Sequence, residues 1–188
     1  EVYTDVPSFA DAVRASLRED PNVVLVGEMR DLETMRAAIA LAETGHLVFS
    51  TLHCGNAVGA LDRLVGAFPS AEKESLCQQL SMVLRAIVAQ RLLPRTDGSG
   101  RIAAVEILRV STAVANLIRT HKPQQIYSMM ENGGTDGMQT IEQALADLCA
   151  QGLVGVDEAR RAACDGRLFD DRLRMTRARG MAGMTGGR

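Results

Sequence analysis

The chain has 188 residues, of which 46% are hydrophobic and only 3% aromatic, so it is long enough for a globular domain with an aliphatic core. Its 21 Lys and Arg residues nearly balance 23 Asp and Glu residues, which excludes a global basic field for nucleic acid or acidic membranes. No window has the roughly 18 to 20 consecutive apolar residues of a membrane helix.

The first quarter of the chain shows a strand, helix, strand pattern. Pro21 separates a helical apolar repeat from an apolar run that is β-branched and suited to burial on both faces of a parallel sheet. Asp31 can cap a helix, and Gly45 is a typical residue just beyond a helix end. The predicted elements of this βαβ unit are a helix over Ser8–Arg18, a strand over Asn22–Val26, a helix from Asp31 to Thr44 and a strand over His46–Leu52.

The rest of the chain alternates between helical patterns and one predicted β-hairpin. The turn signal Asp97-Gly98-Ser99-Gly100 joins the two strands of this hairpin. The strands are predicted over Ile87–Leu93 and Arg101–Leu108, and the helices over Asn56–Val65, Ala71–Ala86, Thr112–Arg119, Pro123–Met130, Met138–Gln151 and Val156–Ala163.

The C-terminal residues have an unusual composition. From Arg172 onward there are five arginines and no acidic residue, and the last nine residues are rich in glycine. We therefore predict a disordered tail over residues 167–188, after a helical region over residues 110–166.

A carboxylate ends the first predicted strand. Glu28 follows the apolar run directly, at the edge where ligands bind in open α/β sheets. A carboxylate there can position water, accept its proton or hold the water shell of a magnesium ion beside a phosphate. The pattern leaves open a simpler interpretation, in which Glu28 only forms a surface ion pair with Arg30.

Two histidines flank the second predicted strand. His53 follows the strand and is expected at the same sheet edge as Glu28 if the two strands are parallel. His46 begins the strand, and at about 3.3 Å per residue the two rings would lie roughly 23 Å apart. The two histidines are therefore not expected to share a ligand.

A phosphate-binding loop is absent from the sequence. No G-x-x-x-x-G-K-[ST] motif occurs, and Gly98-Ser99-Gly100-Arg101 has neither its spacing nor its lysine. The four cysteines include no C-x-x-C pair, so a typical zinc site is not predicted.

Four segments resemble the type II/IV secretion ATPase superfamily, and the pilus-retraction branch fits them best. The resemblance runs from about residue 1 to residue 163. The segments are LREDPNVVLVGEMRD (17–31), AETGHLVFSTLH (42–53), QRLLPRTDGSGRIAAVEIL (90–108) and GMQTIEQAL (137–145).

The resemblance implies a RecA-like α/β core of a P-loop ATPase, with a mostly parallel sheet flanked by helices. Residues 1–109 would be the C-terminal portion of that core, without its Walker A motif. Glu28 matches the Walker B glutamate and candidate catalytic base. His53 and His46 match the two histidines of the histidine box, in nucleotide sensing or coupling, and Arg30 matches an arginine of the Walker B motif.

The resemblance also implies the setting of the complete protein. It predicts ATP and Mg²⁺ as ligands of a longer polypeptide, a homo-hexamer, and a pilus or secretion platform protein at the inner membrane as partner. It implies a cytoplasmic location with peripheral membrane attachment, no nucleic acid and no membrane insertion. The present chain is expected to bind ATP weakly and hydrolyse none, and His46–Leu52 is expected to lack one strand neighbour.

Departures from the family pattern leave alternatives open. Asn22, Ala115 and Thr120 replace residues that the family usually carries, and the missing cysteine pairs argue against the assembly and secretion branch. Retraction motors, accessory retraction motors and related secretion motors all remain compatible with the motifs. An alternative from another class is a non-catalytic assembly or binding module that keeps the surface of the motor.

Overall fold

The computed structural model describes residues 4–16 and 18–185. In this part of the chain helices accompany two short β-sheets, which confirms the predicted α/β class. The strands are β1 (Val23–Val26), β2 (Leu47–Ser50), β3 (Ala86–Pro94) and β4 (Arg101–Arg109). The helices are α1 (Phe9–Ser16), α2 (Leu32–Glu43), α3 (Ala57–Gly66), α4 (Lys73–Val83), α5 (Thr112–Arg119), α6 (Ile126–Asn132), α7 (Ile141–Ala150), α8 (Val156–Ala162) and α9 (Gly166–Thr185).

The predicted βαβ unit is confirmed. Strands β1 and β2 pair in parallel, with Val26 opposite Ser50 at the carboxyl end of the ladder. Helix α2 connects them, and the Asp31 side chain caps this helix by accepting from the Thr34 amide at 2.8 Å. Beyond the helix, Gly45 has a φ of +98°, a conformation that glycine adopts without a steric cost. The carboxyl ends of β1 and β2 therefore lie at one edge.

The two faces of the β1–β2 sheet differ in burial. On one face Val26 packs with Val13 of α1 and Leu41 of α2. On the other face Leu25 is 74% exposed and Phe49 is 53% exposed. The prediction that β1 is covered on both faces is wrong for the described residues, because α1 and α2 supply a core to one face only.

The chain divides into two compact units that are interleaved along the sequence. The first unit comprises Glu1–Cys54, Val58–Arg85 and Val110–Ile126, and the second comprises Gly55–Ala57, Ala86–Arg109 and Tyr127–Arg188. The predicted division at residues 109 and 166 follows the sequence and stays a prediction. Within the described residues, no helix has both the length and the apolar character that crossing a membrane requires.

The second unit is built on the predicted hairpin. Strands β3 and β4 pair antiparallel, with Ala86 opposite Arg109. Strand β4 packs against α7 and β3 against α8, and α9 packs against these two helices. The buried apolar residues of this core are Leu93, Ala104, Ile141, Ala144, Leu145, Ala146, Cys149, Val154, Ala159, Phe169 and Leu173.

Helix α9 corrects the prediction of a disordered tail. Residues 167–185 are helical, whereas residues 186–188 lie outside the described part of the chain. Phe169 is fully buried and Leu173, one turn later, is 6% exposed. Both belong to the core that α7 contributes to. Arg172, Arg174, Arg177 and Arg179 therefore lie on a helix whose apolar residues Phe169 and Leu173 hold it in place.

The end of α4 and the start of α7 differ from the predictions, because the residues there form backbone hydrogen bonds outside the helices. Helix α4 ends at Val83, and the Arg85 carbonyl accepts from the Val110 amide at 2.9 Å. Gln139 exchanges backbone hydrogen bonds with Ile107 of β4, so α7 begins only after the cap at Thr140. The prediction for Leu17 lies outside the described residues.

Two carboxylates are buried in the second unit. Glu106 accepts from the Ala57 amide at 2.6 Å and from the Ile141 amide at 3.3 Å. Glu142 accepts from the Tyr127 hydroxyl at 2.6 Å and from the Cys164 amide at 2.9 Å. Each carboxylate therefore ties helix ends or loops to the core through hydrogen bonds that replace water.

Candidate functional site

The carboxyl ends of β1 and β2 position the predicted site, which lies entirely within the first unit. Beyond the last ladder pair, Thr51 joins the segment that follows β2 to the segment that follows β1. Its carbonyl accepts from the Met29 amide at 3.2 Å, and its hydroxyl donates to the Gly27 carbonyl at 2.6 Å. These bonds fall on the residues directly before and after Glu28.

The structure brings Glu28 and His53 together, as predicted from the parallel strands. His53 Nε2 lies 2.9 Å from Glu28 Oε1, and Arg30 Nε lies 2.6 Å from Glu28 Oε2. The Glu28 side chain is 22% exposed, whereas those of Arg30 and His53 are each 78% exposed. The ion pair with Arg30 is thus present alongside the contact with His53.

The neighbouring groups change the acidity of Glu28. The hydrogen bond from Arg30 is the largest cause that holds the pKa of Glu28 below its ordinary value, and the charges of Arg30 and His53 act in the same direction. Glu28 is therefore ionised at neutral pH and can only accept hydrogen bonds.

The backbone of His53 has its own support. Arg63, on α3, donates from Nη1 to the His53 carbonyl at 3.2 Å. This contact leaves the imidazole ring free to face Glu28. Helix α3 thus helps to fix where the loop after β2 presents its histidine.

His46 lies at the opposite end of β2. Its Nδ1 lies 3.1 Å from the Leu41 carbonyl and 2.9 Å from the Thr44 hydroxyl, at the C-terminus of α2. A carbonyl can only accept, so a hydrogen bond to Leu41 requires the tautomer with the proton on Nδ1. The structure does not bring His46 together with Glu28 and His53, and its role stays a prediction.

A bound metal ion would need ligands beyond these residues. Residues 4–16 and 18–185 contain no group of three or more His, Cys, Asp or Glu side chains arranged to hold a metal. Magnesium commonly binds through one or two carboxylates together with substrate phosphates and water. Glu28 fits the carboxylate part of such a set, as a contact to a metal-bound water.

Two residues of this site escaped the sequence analysis. Thr51 lies between the strand and His53, inside the predicted histidine motif, but a threonine at a strand end carries no signal of its own. Arg63 lies ten residues after His53 along the chain, so only the path of α3 brings its guanidinium to that carbonyl.

The arrangement suits chemistry on a bound water. An ionised carboxylate oxygen keeps a free lone pair after accepting one hydrogen bond, so Glu28 can orient a water and accept its proton. His53 can report the state of that carboxylate through a direct contact. The exposed guanidinium of Arg30 can form charge-assisted hydrogen bonds to an anion.

Comparison with known proteins places these residues in a family. The family model described as "Type II/IV secretion system protein" matches residues 3–99, which include Glu28, His46 and His53. The twitching motility protein of Neisseria gonorrhoeae is 50% identical over 163 residues, which cover 87% of this chain and 44% of that protein. The type IV pilus retraction ATPase PilT of Pseudomonas aeruginosa is 47% identical over 163 residues, covering 87% of this chain and 47% of that protein.

A solved structure agrees with the sequence relatives. The crystal structure of the pilus retraction motor PilT with bound ADP superposes with a TM-score of 0.81 and 48% identity, and the match covers 89% of this chain and 47% of that chain. The resemblance inferred from the sequence, including its retraction branch, is confirmed. The chain spans a little under half the length of the curated relatives it matches.

Proposed function

The chain belongs to the type II/IV secretion system protein family, and we propose that it is part of a motor ATPase that drives type IV pilus retraction or a related secretion process. The observation that carries the proposal is the 2.9 Å contact between Glu28 and His53 at the carboxyl ends of two parallel strands. A retraction ATPase and a twitching motility protein share about half of the residues over this region.

In this proposal Glu28 is the catalytic base. It orients the attacking water and accepts its proton as the γ-phosphoryl group is transferred. A base has to be ionised to accept a proton, and Glu28 is ionised at neutral pH, with a pKa that the Arg30 contact lowers further. Arg30 has to release its hydrogen bond for Glu28 to reach full basicity, and its exposed guanidinium is free to move toward a phosphate.

His53 acts as a sensor that couples the nucleotide to neighbouring elements. Its ring contacts the proposed base, and its carbonyl contacts Arg63 on α3. A shift of the Glu28 carboxylate would therefore reach α3 through one residue. His46, held at the end of α2, is assigned to packing or to the subunit interface.

ATP and Mg²⁺ would bind in the longer polypeptide to which these residues belong. Mg²⁺ on the phosphates would neutralise developing charge, and Glu28 is the residue here that could contact its water shell. The phosphate cradle has to come from outside residues 1–188, because the sequence has no P-loop motif. We expect this chain alone to bind ATP weakly and to hydrolyse none.

The same proposal covers assembly and location. It assigns the protein to a homo-hexameric ring in the cytoplasm, attached peripherally to the inner membrane through a platform protein. No nucleic acid or membrane insertion is part of the proposal. Size measurement of the full-length protein with and without ATP tests the hexamer, and a monomer under both conditions would contradict it.

The proposed role of Glu28 is tested by Glu28→Gln in the full-length protein. Glutamine keeps the shape of the side chain but cannot accept a proton from water. Nucleotide binding should persist while turnover falls by orders of magnitude, roughly 100-fold or more. Glu74→Gln, on the exposed surface of α4, is the control and should leave turnover unchanged. Turnover by Glu28→Gln at the rate of the unaltered protein would refute the proposal.

The non-catalytic alternative makes the opposite prediction for the upstream gene sequence. A G-x-x-x-x-G-K-[ST] motif upstream of Glu1 would support the motor. A translation start at this point would support an assembly module that keeps the surface of the motor without a phosphate site. Reading the coding sequence upstream of Glu1 separates the two functions.

A further inference from the structure

We propose that Thr51 is a positioning residue that sets the place of the Glu28 carboxylate relative to His53. This inference rests on the proposed function of Glu28. The hydrogen-bonded ladder of β1 and β2 ends at the pair Val26 and Ser50. Glu28 lies beyond this ladder, where regular strand pairing no longer determines its backbone.

Thr51 supplies the two bonds that extend the pairing past the end of the sheet. Its carbonyl accepts from the Met29 amide at 3.2 Å, and its side-chain hydroxyl donates to the Gly27 carbonyl at 2.6 Å. Thr51, which directly follows β2, thus forms hydrogen bonds with the peptide groups on both sides of Glu28. The second bond depends on the identity of the side chain, whereas the first does not.

The hydrogen bond from the Thr51 hydroxyl is made to Gly27, a residue whose backbone is free to adopt many conformations. Glycine has the largest conformational freedom of all residues, so an unrestrained Gly27 would allow Glu28 to change direction. The side chains around Glu28 are poorly placed to prevent this, because those of Arg30 and His53 are 78% exposed. Exposed ion pairs contribute little restraint. Among the described residues, the Thr51 hydroxyl therefore adds a side-chain restraint on the direction of Glu28 to the backbone bond between Thr51 and Met29.

Small errors in position are costly for a base that must meet a water. A displacement of about 1 Å can lower a rate on the order of 100-fold when the reacting groups no longer align. Removal of the hydroxyl should accordingly lower turnover about 10- to 100-fold and leave nucleotide affinity unchanged. Thr51 would not itself touch the substrate.

The experiment compares four variants of the full-length protein by ATP turnover and by nucleotide dissociation constant. Thr51→Val keeps the β-branched shape and removes the hydroxyl, whereas Thr51→Ser keeps the hydroxyl. Ser50→Ala is a matched control, because the adjacent Ser50 hydroxyl is buried and has no hydrogen-bond partner among the described residues. Glu28→Gln tests the proposed function in the same assay.

The expected result is a fall in turnover for Thr51→Val, with turnover within about threefold of the unaltered protein for Thr51→Ser and no change for Ser50→Ala. The inference is overturned if Thr51→Val turns over normally while Glu28→Gln is inactive, or if Thr51→Ser fails to restore turnover. It is also overturned if Thr51→Val loses nucleotide affinity as strongly as turnover. Normal turnover by Glu28→Gln would instead refute the proposed function.

Discussion

Arg30 Nε and Glu28 Oε2 lie 2.6 Å apart, and this hydrogen bond is the main reason why the pKa of Glu28 is lowered. A carboxylate with a lowered pKa is ionised over a wider pH range, but it is also a weaker base. The pair therefore favours a charged Glu28 at the expense of its basicity. Loss of Arg30 should reverse both effects.

Arg30→Gln should raise the pKa of Glu28 toward its ordinary value, because the largest cause of the lowering is removed. The acid limb of the pH profile of kcat/KM in the full-length protein should then move to higher pH. Titration of the Glu28 carboxyl carbon by NMR measures the same shift without relying on activity.

Arg101→Gln, at the exposed start of β4, is the control for the loss of one positive charge and should leave the Glu28 titration in place. An unchanged Glu28 titration in Arg30→Gln would contradict the importance of this hydrogen bond. A shift to lower pH would contradict its sign.

The raised pKa of Glu106 predicts that the stability of the fold decreases as the pH rises. Burial is the largest cause that raises its pKa, and the charge of Glu142 adds to it, whereas the Ala57 and Ile141 amides and the charge of Arg91 oppose it. The folded state therefore binds more protons than the unfolded state between the ordinary and the raised pKa. Stability from this group is present below the ordinary pKa and is lost as pH rises through the raised pKa.

Glu106→Gln removes the titrating group, so the stability of the variant should depend less on pH. At pH 4 the protonated carboxyl of Glu106 still offers two oxygens, because its hydroxyl proton can turn away from the Ile141 amide. Glutamine keeps an oxygen for the Ala57 amide but sets an NH2 donor against the Ile141 amide, so the variant should be less stable than the unaltered protein at this pH. The difference in Tm should shrink as the pH rises from 4 to 7. Glu19→Gln, on the exposed surface, should show no such trend. A difference that grows with pH would contradict the raised pKa.

Phe169 tests whether α9 is part of the second unit. Its ring is fully buried in the core that contains Leu145 and Leu173, so Phe169→Ala should cost about 3 to 5 kcal/mol of the free energy of unfolding. Urea unfolding followed by circular dichroism measures this change.

Met175→Ala on the same helix is the matched control. Met175 is 54% exposed, so its truncation should change the free energy of unfolding by less than about 0.5 kcal/mol. A Phe169→Ala variant as stable as the unaltered protein would contradict the packing of α9 in this core.

The local elements and the location of the candidate site could be predicted from the sequence because their signals are local. Asp31 and Gly45 mark the two ends of α2, and the structure confirms both boundaries. An apolar strand, a helix and a second apolar strand in succession predict parallel pairing, and parallel pairing brings Glu28 and His53 to one edge. Their roles in catalysis stay predictions.

The features that escaped prediction depend on groups far apart along the chain. The arginines from Arg172 onward suggested a solvated tail, because the spacing of Phe169 and Leu173 has meaning only when α7 offers a core to receive them. Glu106 lies between Ala104 and Leu108 on the same buried face of β4. A carboxylate at such a position is costly unless it is hydrogen-bonded, and the Ala57 and Ile141 amides supply these bonds.

The sequence by itself determined that a carboxylate and an imidazole follow two successive strands, and a strand, helix, strand succession with short connections predicts that these strands run parallel. Only the tertiary structure decided how that carboxylate is held. Thr51 reaches Gly27 across 24 positions of the chain, and Arg30 and His53 occupy separate oxygens of Glu28. Hydrogen bonds require a distance and a direction that no pattern of residue types contains, because both depend on the folded path of the backbone between them.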